Sequence, residues 1–126
     1  MCDLLDPTVP RKRATPAAPS TAEALFRLGS IYATPGALAL LERHGTCAAT
    51  LLVRHQSGDF GHVGADSIRD NQQAIQHGNR ILSVYRLLDD AALERMTPAE
   101  RRRSPQAWII TEADRSVTTL LLPEDY

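Results

Sequence analysis

The pattern of apolar and polar residues near the C-terminal end predicts a β-hairpin. Two runs rich in β-branched and aliphatic residues, 108–111 and 117–122, flank a polar segment at 112–116. Short runs of this kind on either side of a polar turn are typical of two antiparallel strands. A third run with the same character, 81–87, is expected to be the partner strand of the hairpin.

Helix signals lie between a first predicted strand at 25–33 and the strand at 81–87. Thr34 is expected to cap the first helix and Pro35 to begin it, because these residues favour the N-cap and the first helical position. Thr46 and Asp66 are expected to cap two further helices, and a glycine follows each of the three helices. The expected bounds of the second and third helices are 47–56 and 67–77.

A charged stretch at 89–105 separates the strand at 81–87 from the hairpin. Within it, Thr97 and Glu100 have the spacing of a capping box, which predicts a short helix. The stretch is therefore interpreted as a helical insertion.

The order of these elements predicts an α+β fold in one domain at 21–126. The expected architecture is a small antiparallel sheet of three to four strands packed with about three helices. Residues 1–20 contain four of the eight prolines and the basic cluster Arg11-Lys12-Arg13. Such a segment cannot bury enough apolar surface to fold, so a disordered N-terminal tail is predicted.

Composition narrows the class of protein. The chain has 126 residues and a formal net charge of -1. This charge argues against electrostatic binding of nucleic acid by the domain as a whole. It contains no apolar run near the length of a membrane span, so no membrane partner is expected. Cys2 and Cys47 are too few for a disulfide framework and are interpreted as free thiols, which favours a cytoplasmic location.

Two histidines and an acidic residue lie close together in the chain, at His55, Asp59 and His62. Their spacing matches no recognised metal motif, so neither a metal nor another cofactor is expected. Cys47, at a helix start, lacks the sequence context of a catalytic thiol.

Polar residues on and beside the predicted strands are the candidate site. The leading hypothesis is a non-catalytic binding protein that contacts a protein or nucleic-acid partner through Arg80, Tyr85, Asp114 and Arg115. The alternative is a small metal-independent nuclease or toxin, with His55 or Glu112 as the base. Arg80 and Arg115 would then stabilise the charge that develops on the phosphorus. Whether the protein is an enzyme stays open, with binding favoured.

Five stretches of the chain resemble a known family. They are Leu28-Gly-Ser-Ile-Tyr-Ala-Thr-Pro-Gly-Ala-Leu, His55-x-x-Gly58-Asp59-x-Gly61, Asp70-Asn71, Gly78-x-Arg80-Ile-Leu-Ser83-x-Tyr85 and the hairpin from Trp108 to Pro123. The resemblance covers about 26–126 and is to small plasmid, phage and integrative-element proteins of unknown function. Some members carry the label type I restriction subunit M, but the Asn/Asp-Pro-Pro-Tyr-type motif of a methyltransferase is absent here. The resemblance implies an uncharacterised mobile-element accessory protein that acts in DNA maintenance or against host defence.

Overall fold

Four strands form one mixed sheet in the computed structural model, which describes residues 24–126. The strands are β1 (Ser30–Ala33), β2 (Ile81–Arg86), β3 (Gln106–Thr111) and β4 (Val117–Leu121). Their order across the sheet is β1-β4-β3-β2, with β1 parallel to β4 and the other two pairings antiparallel. The predicted α+β fold is confirmed, as is the pairing of β2 with the first strand of the hairpin.

Three helices lie between β1 and β2, and two shorter ones lie between β2 and β3. They are α1 (Pro35–Arg43), α2 (Ala48–Gln56), α3 (Ala65–His77), α4 (Asp90–Glu94) and α5 (Pro98–Arg103). Thr34 caps α1 and the Thr97–Glu100 capping box begins α5, as predicted. The N-cap of α2 is Cys47, one residue after the predicted Thr46, and the N-cap of α3 is Gly64, two residues before the predicted Asp66. The predicted tail at 1–20 lies outside the described residues.

The first strand is shorter than its apolar pattern suggests, because β1 begins only at Ser30. Gly29 precedes it with φ +67, a left-handed conformation that ends an extended segment. A side chain at Gly29 would also run into the backbone of Ser116. This close approach accompanies the parallel pairing of β1 with β4, so the sheet is mixed and not wholly antiparallel as predicted.

One side of the sheet, here called the helix face, carries the core. Both clusters of buried apolar residues draw their strand residues from this side. Residues of α1 and α2 pack on Tyr85, Ile109 and Leu120, while Ala74 of α3 packs on Ile81. Ser83, Thr111 and Thr118 alternate with these apolar residues and are also fully buried. The helix face therefore combines an apolar core with a buried polar patch.

The opposite side is here called the open face. Its central part consists of Tyr32, Leu82, Val84, Trp108, Ile110, Thr119 and Leu121, and Arg86 and Gln106 lie on the same side at one end. Within the central part, Ile110 and Leu121 are buried, whereas the others are half-buried or exposed, with Tyr32 59% exposed. In the described part of the chain, no helix residue belongs to an apolar cluster on this side. The ring of Tyr126 lies against Trp108, with centroids 5.8 Å apart.

The two edges of the sheet differ. At the β2 edge, the Asn71 amide donates to the Leu82 carbonyl and accepts from the Leu82 N–H, at 2.7 and 3.2 Å. The backbone N–H of His62 donates to the Val84 carbonyl at 2.6 Å. The Nδ1 atom of His62 accepts from the backbone N–H of Arg86 at 3.1 Å. These bonds close the β2 edge, while Ser30, Ile31 and Tyr32 of β1 are exposed at the other.

Two further findings concern the lengths of the helices and the state of Cys47. No helix within residues 24–126 is long and apolar enough to span a bilayer. Cys47 is disulfide-bonded, so the prediction of a free thiol is wrong for this residue. The argument for a reducing compartment from free thiols therefore loses its support.

Candidate functional site

His55 lies in the last turn of α2 and its imidazole is completely buried against the sheet. Its Nδ1 atom is 2.6 Å from the Ser83 hydroxyl, and its Nε2 atom is 2.8 Å from the Thr111 hydroxyl. The Thr111 oxygen is in turn 2.8 Å from that of Thr118. Both ring nitrogens are thus paired with hydroxyl groups in the core.

The direction of each bond follows from the end of the network. The Thr118 hydroxyl donates to the Leu28 carbonyl at 2.7 Å, and a carbonyl can only accept. Since Thr118 has one proton, it must accept from Thr111, and Thr111 must accept from His55 Nε2–H. A neutral imidazole with a proton on Nε2 accepts at Nδ1, so Ser83 donates to it. The network is a directed chain from Ser83 to the Leu28 carbonyl.

The electrostatics of the core keep this imidazole neutral. Burial, followed by the positive charge of Arg115, lowers the pKa of His55 to about 4. The edge of the ring meets Phe26 with centroids 5.2 Å apart, and the Arg115 guanidinium lies 5.7 Å from the Phe26 ring centroid. His55 is therefore a neutral acceptor and donor covered by an aromatic ring.

A serine that donates to a neutral imidazole also occurs in catalytic pairs. Here His55 and Ser83 are both 0% exposed, so neither atom of the pair can reach a substrate in this conformation. The network provides hydrogen-bond partners for the buried imidazole of His55 and for the three buried hydroxyl groups. His55, the candidate base of the nuclease hypothesis, contributes to stability by this arrangement.

Arg115 lies at the hairpin turn and is held by the backbone. Its guanidinium donates to the carbonyls of Ala74, Asn79, Glu112 and Ala113 at distances of 2.6 to 3.3 Å. Arg115 has a φ of +61, and it is the one non-glycine residue among those described that adopts the left-handed conformation. These bonds fasten the end of α3 to the turn of the hairpin, and they engage both terminal nitrogens of the guanidinium.

Asp114 completes that turn. Its carboxylate accepts from the backbone N–H and the hydroxyl of Ser116, at 3.0 and 2.6 Å. The hydrogen bond from the Ser116 hydroxyl is the main reason that the pKa of Asp114 is lowered. Asp114 is exposed, so its carboxylate remains accessible to a partner.

Tyr85, expected at a contact surface, lies in the core. It is 1% exposed because it points to the helix face, and its hydroxyl donates to the Asp59 carbonyl at 2.6 Å. Burial raises its pKa to about 12. Arg54 lies 4.7 Å from the ring centroid and pairs with Asp59, which lowers the pKa of that carboxyl through their hydrogen bond.

Arg80 and Glu112 form a surface pair at the margin of the open face. Their side chains approach to 3.4 Å, and Arg80 also donates to the Tyr126 hydroxyl at 2.9 Å. Both groups are about half exposed. Of the expected site residues, these two alone stand together at the surface, next to Trp108 and Tyr126.

The metal candidates are separated by their folded positions. His55 points into the core, whereas His62 lies at the β2 edge and Asp59 pairs with Arg54. Within residues 24–126 no group of three or more His, Cys, Asp or Glu side chains is placed to hold a metal ion.

The sequence reasoning missed that Ser83 and Thr111 are hydrogen-bond partners of His55 and that Thr118 extends this network. The available signal was their place in the strands, since each occupies a buried position beside apolar residues. Alternation places them on the core side, where a hydroxyl requires a partner. Comparison with known proteins adds nothing to this picture, because no family model, curated protein or solved structure matches the chain.

Proposed function

We propose that this chain is a non-catalytic binding protein that contacts a protein partner through the open face. The observation that carries the proposal is a sheet surface of aromatic and aliphatic residues that belongs to neither apolar core cluster and leaves Tyr32 and Tyr126 exposed. Apolar surfaces of this kind, bordered by polar groups, mark interaction sites more often than they mark plain solvent-exposed sheet.

The chemistry of the open face favours protein over nucleic acid as its partner. Trp and Tyr are enriched at protein interfaces, and this surface presents Tyr32, Trp108 and Tyr126. Arg80, the basic residue beside these aromatic rings, is paired with Glu112, so the aromatic part of the surface offers little net positive charge. The resemblance to mobile-element proteins supplies the proposed setting, which is DNA maintenance or action against host defence.

The placement of His55 supports binding over catalysis. A base in the nuclease alternative needs access to the substrate, and His55 has none in this conformation. Arg115 donates to four backbone carbonyls, which leaves Arg80 and Glu112 as the accessible residues of that alternative.

Affinity capture from the host, with variants of the open face, tests the proposal. Tyr32→Ser and Trp108→Ala are expected to lose a protein that the wild type recovers. Leu38→Ser is the matched control, because Leu38 is 48% exposed on α1, away from this face. Equal recovery by all four proteins would contradict the proposed surface. Cleavage of RNA or DNA by the wild type, but not by Arg80→Ala or Glu112→Gln, would favour the alternative.

A further inference from the structure

Two clefts at one end of the sheet are lined by arginines. The first cleft contains His62, Gly64, Arg86, Arg101 and Arg102 in its lining. The second contains Arg43, Arg102, Arg103 and, as its one acidic residue, Glu124. Arg102 belongs to both, so the clefts adjoin along α5. We call Arg43, Arg86, Arg101, Arg102 and Arg103 the arginine band.

The guanidinium groups of this band are largely unengaged. In the described part of the chain, the ion-paired arginines are Arg54, Arg69 and Arg80. Arg101 donates to the carbonyls of Leu93 and Met96 and ties α4 to α5. The Nε atom of Arg86 is buried without a hydrogen-bond partner among the described residues. Four of the five guanidinium groups thus lack a carboxylate or carbonyl partner there.

A second element adds positive potential to the first cleft. Gly64 is the N-cap of α3, and it provides no side-chain oxygen for the N–H groups of the first turn. These N–H groups carry the positive end of the helix dipole. The Nδ1 atom of His62 accepts from Arg86 N–H, so its Nε2 atom carries the proton in the neutral ring. The polar groups of this lining are therefore mainly donors.

The ordinary explanation for Arg101, Arg102 and Arg103 is that they stabilise the carbonyl end of α5. That explanation does not extend to Arg86 of β2 or Arg43 of α1, which come from other parts of the chain. Nor does it explain a concentration of positive charge in a protein whose formal net charge is -1. The fold collects arginines at one end of the sheet.

We infer that the arginine band binds the sugar–phosphate backbone of a nucleic acid, with phosphate groups in the two clefts. Arginine presents several N–H donors in a planar fork that matches a phosphate. The clefts have volumes of ≈430 and ≈380 Å³. Because the clefts adjoin and share Arg102, a polyanion can occupy both at once. Such binding is independent of nucleotide sequence and does not involve Tyr32, Trp108 or Tyr126 of the open face.

Fluorescence anisotropy with a labelled duplex DNA, a single-stranded DNA and a single-stranded RNA tests this inference. The affinity is expected to fall steeply with salt, and for the duplex Arg86→Ala and Arg102→Ala should each make the log–log slope shallower by about 1. Arg27→Ala is the matched control, since Arg27 is exposed and lines neither cleft. Tyr32→Ser on the open face should leave the binding unchanged, which separates this inference from the proposed function.

A second readout follows His62, whose pKa is lowered by burial and then by Arg86 and Arg54, while Asp90 and Asp59 act in the opposite direction. Bound phosphate offsets the charge of Arg86, so NMR titration should show a higher pKa for His62 in the presence of DNA. Absence of binding by the folded wild type at low salt would overturn the inference. So would equal losses in Arg27→Ala and Arg102→Ala, or binding to anionic lipid vesicles without binding to nucleic acid. Displacement of all DNA by an equimolar amount of inorganic phosphate would indicate a single-anion pocket and would also overturn it.

Discussion

The Nδ1 atom of His55 lies 2.6 Å from the Ser83 hydroxyl, and this contact joins the last turn of α2 to the middle of β2. In this contact the buried imidazole accepts a hydrogen bond at Nδ1. The chain of hydrogen bonds then continues from Nε2 through the hydroxyls of Thr111 and Thr118. This network connects α2 to β2 and to both strands of the hairpin. Through the Leu28 carbonyl it also reaches the segment before β1. The stability of the fold should therefore be sensitive to His55.

Replacing His55 by alanine is expected to destabilise the protein by about 3 kcal/mol or more. The substitution leaves a cavity, and it removes a partner from the hydroxyls of Ser83 and Thr111. Urea denaturation at neutral pH measures the free energy of unfolding. His77→Ala serves as the control, because His77 is an exposed residue at the end of α3 and its loss should change stability little. Equal effects of the two substitutions would refute the role of the network.

The stability of the protein should fall between neutral and mildly acidic pH. The pKa of His55 is lowered from 6.5 to about 4 by folding, so the unfolded chain binds a proton in this interval that the folded chain does not. The free energy of unfolding is therefore highest above pH 6.5 and declines as the pH falls toward 4. The full loss is roughly 3 kcal/mol, and it levels off once both states are protonated.

Urea denaturation of the wild type and His55→Gln, from pH 6.5 down to about 5, checks this decline above the range in which most carboxylates titrate. The variant lacks the imidazole and should show a flatter dependence. A decline of the same steepness in both proteins would assign it to other groups.

Two substitutions of Arg115 should separate the contribution of its side-chain hydrogen bonds from the cost of its left-handed backbone. Arg115→Ala is expected to cost about 2 kcal/mol, because charged hydrogen bonds to backbone carbonyls are lost. Arg115→Gly loses the same bonds but relieves the left-handed φ of +61. The glycine variant is expected to be the more stable of the two by about 1 kcal/mol. Thermal unfolding compares them, and an alanine variant as stable as the wild type would contradict the fastening role.

Gly61 should tolerate no side chain. Its φ is +76, and a methyl group there would meet the Val84 carbonyl and the Tyr85 ring. Gly45 is the matched control, since its φ of +65 is similar but nothing lies near a methyl group at that site. Gly45→Ala should cost about 1 kcal/mol from backbone strain alone. Gly61→Ala should cost at least about 2 kcal/mol more, because overpacking is added to the strain.

Denaturation midpoints of both variants measure this difference. A second readout is hydrogen exchange at Val84, whose N–H donates to the Phe60 carbonyl beside Gly61. Faster exchange is expected in Gly61→Ala but not in Gly45→Ala. Indistinguishable stability of the two variants would rule out the close approach at Gly61.

Local chemistry made much of the fold predictable. The cap at Thr34 and the capping box at Thr97 and Glu100 depend on residues only three positions apart, so a single sequence contains their whole explanation. The parallel pairing of β1 with β4 depends instead on a contact between Gly29 and Ser116, far apart in the chain. That contact has no local signal.

The candidate site was harder to predict for the same reason. Arg80 was expected at the surface, and its pairing with Glu112 follows from the register of β2 and β3. Tyr85 was expected there too, but strand alternation alone does not say which face meets the helices. The arginine band depends on α1, β2 and α5 meeting at one end of the sheet, which only tertiary structure determines.

The closed β2 edge has a consequence for growth of the sheet. Asn71 and His62 occupy the backbone groups that an incoming strand would use, so in the described fold a strand can be added only beside β1. If two copies paired through β1, they would form a continuous sheet of eight strands with β2 at both margins. Such a pair has no remaining place for a third molecule. Association through strand pairing is therefore self-limiting, and it ends at two molecules instead of extending into a fibre.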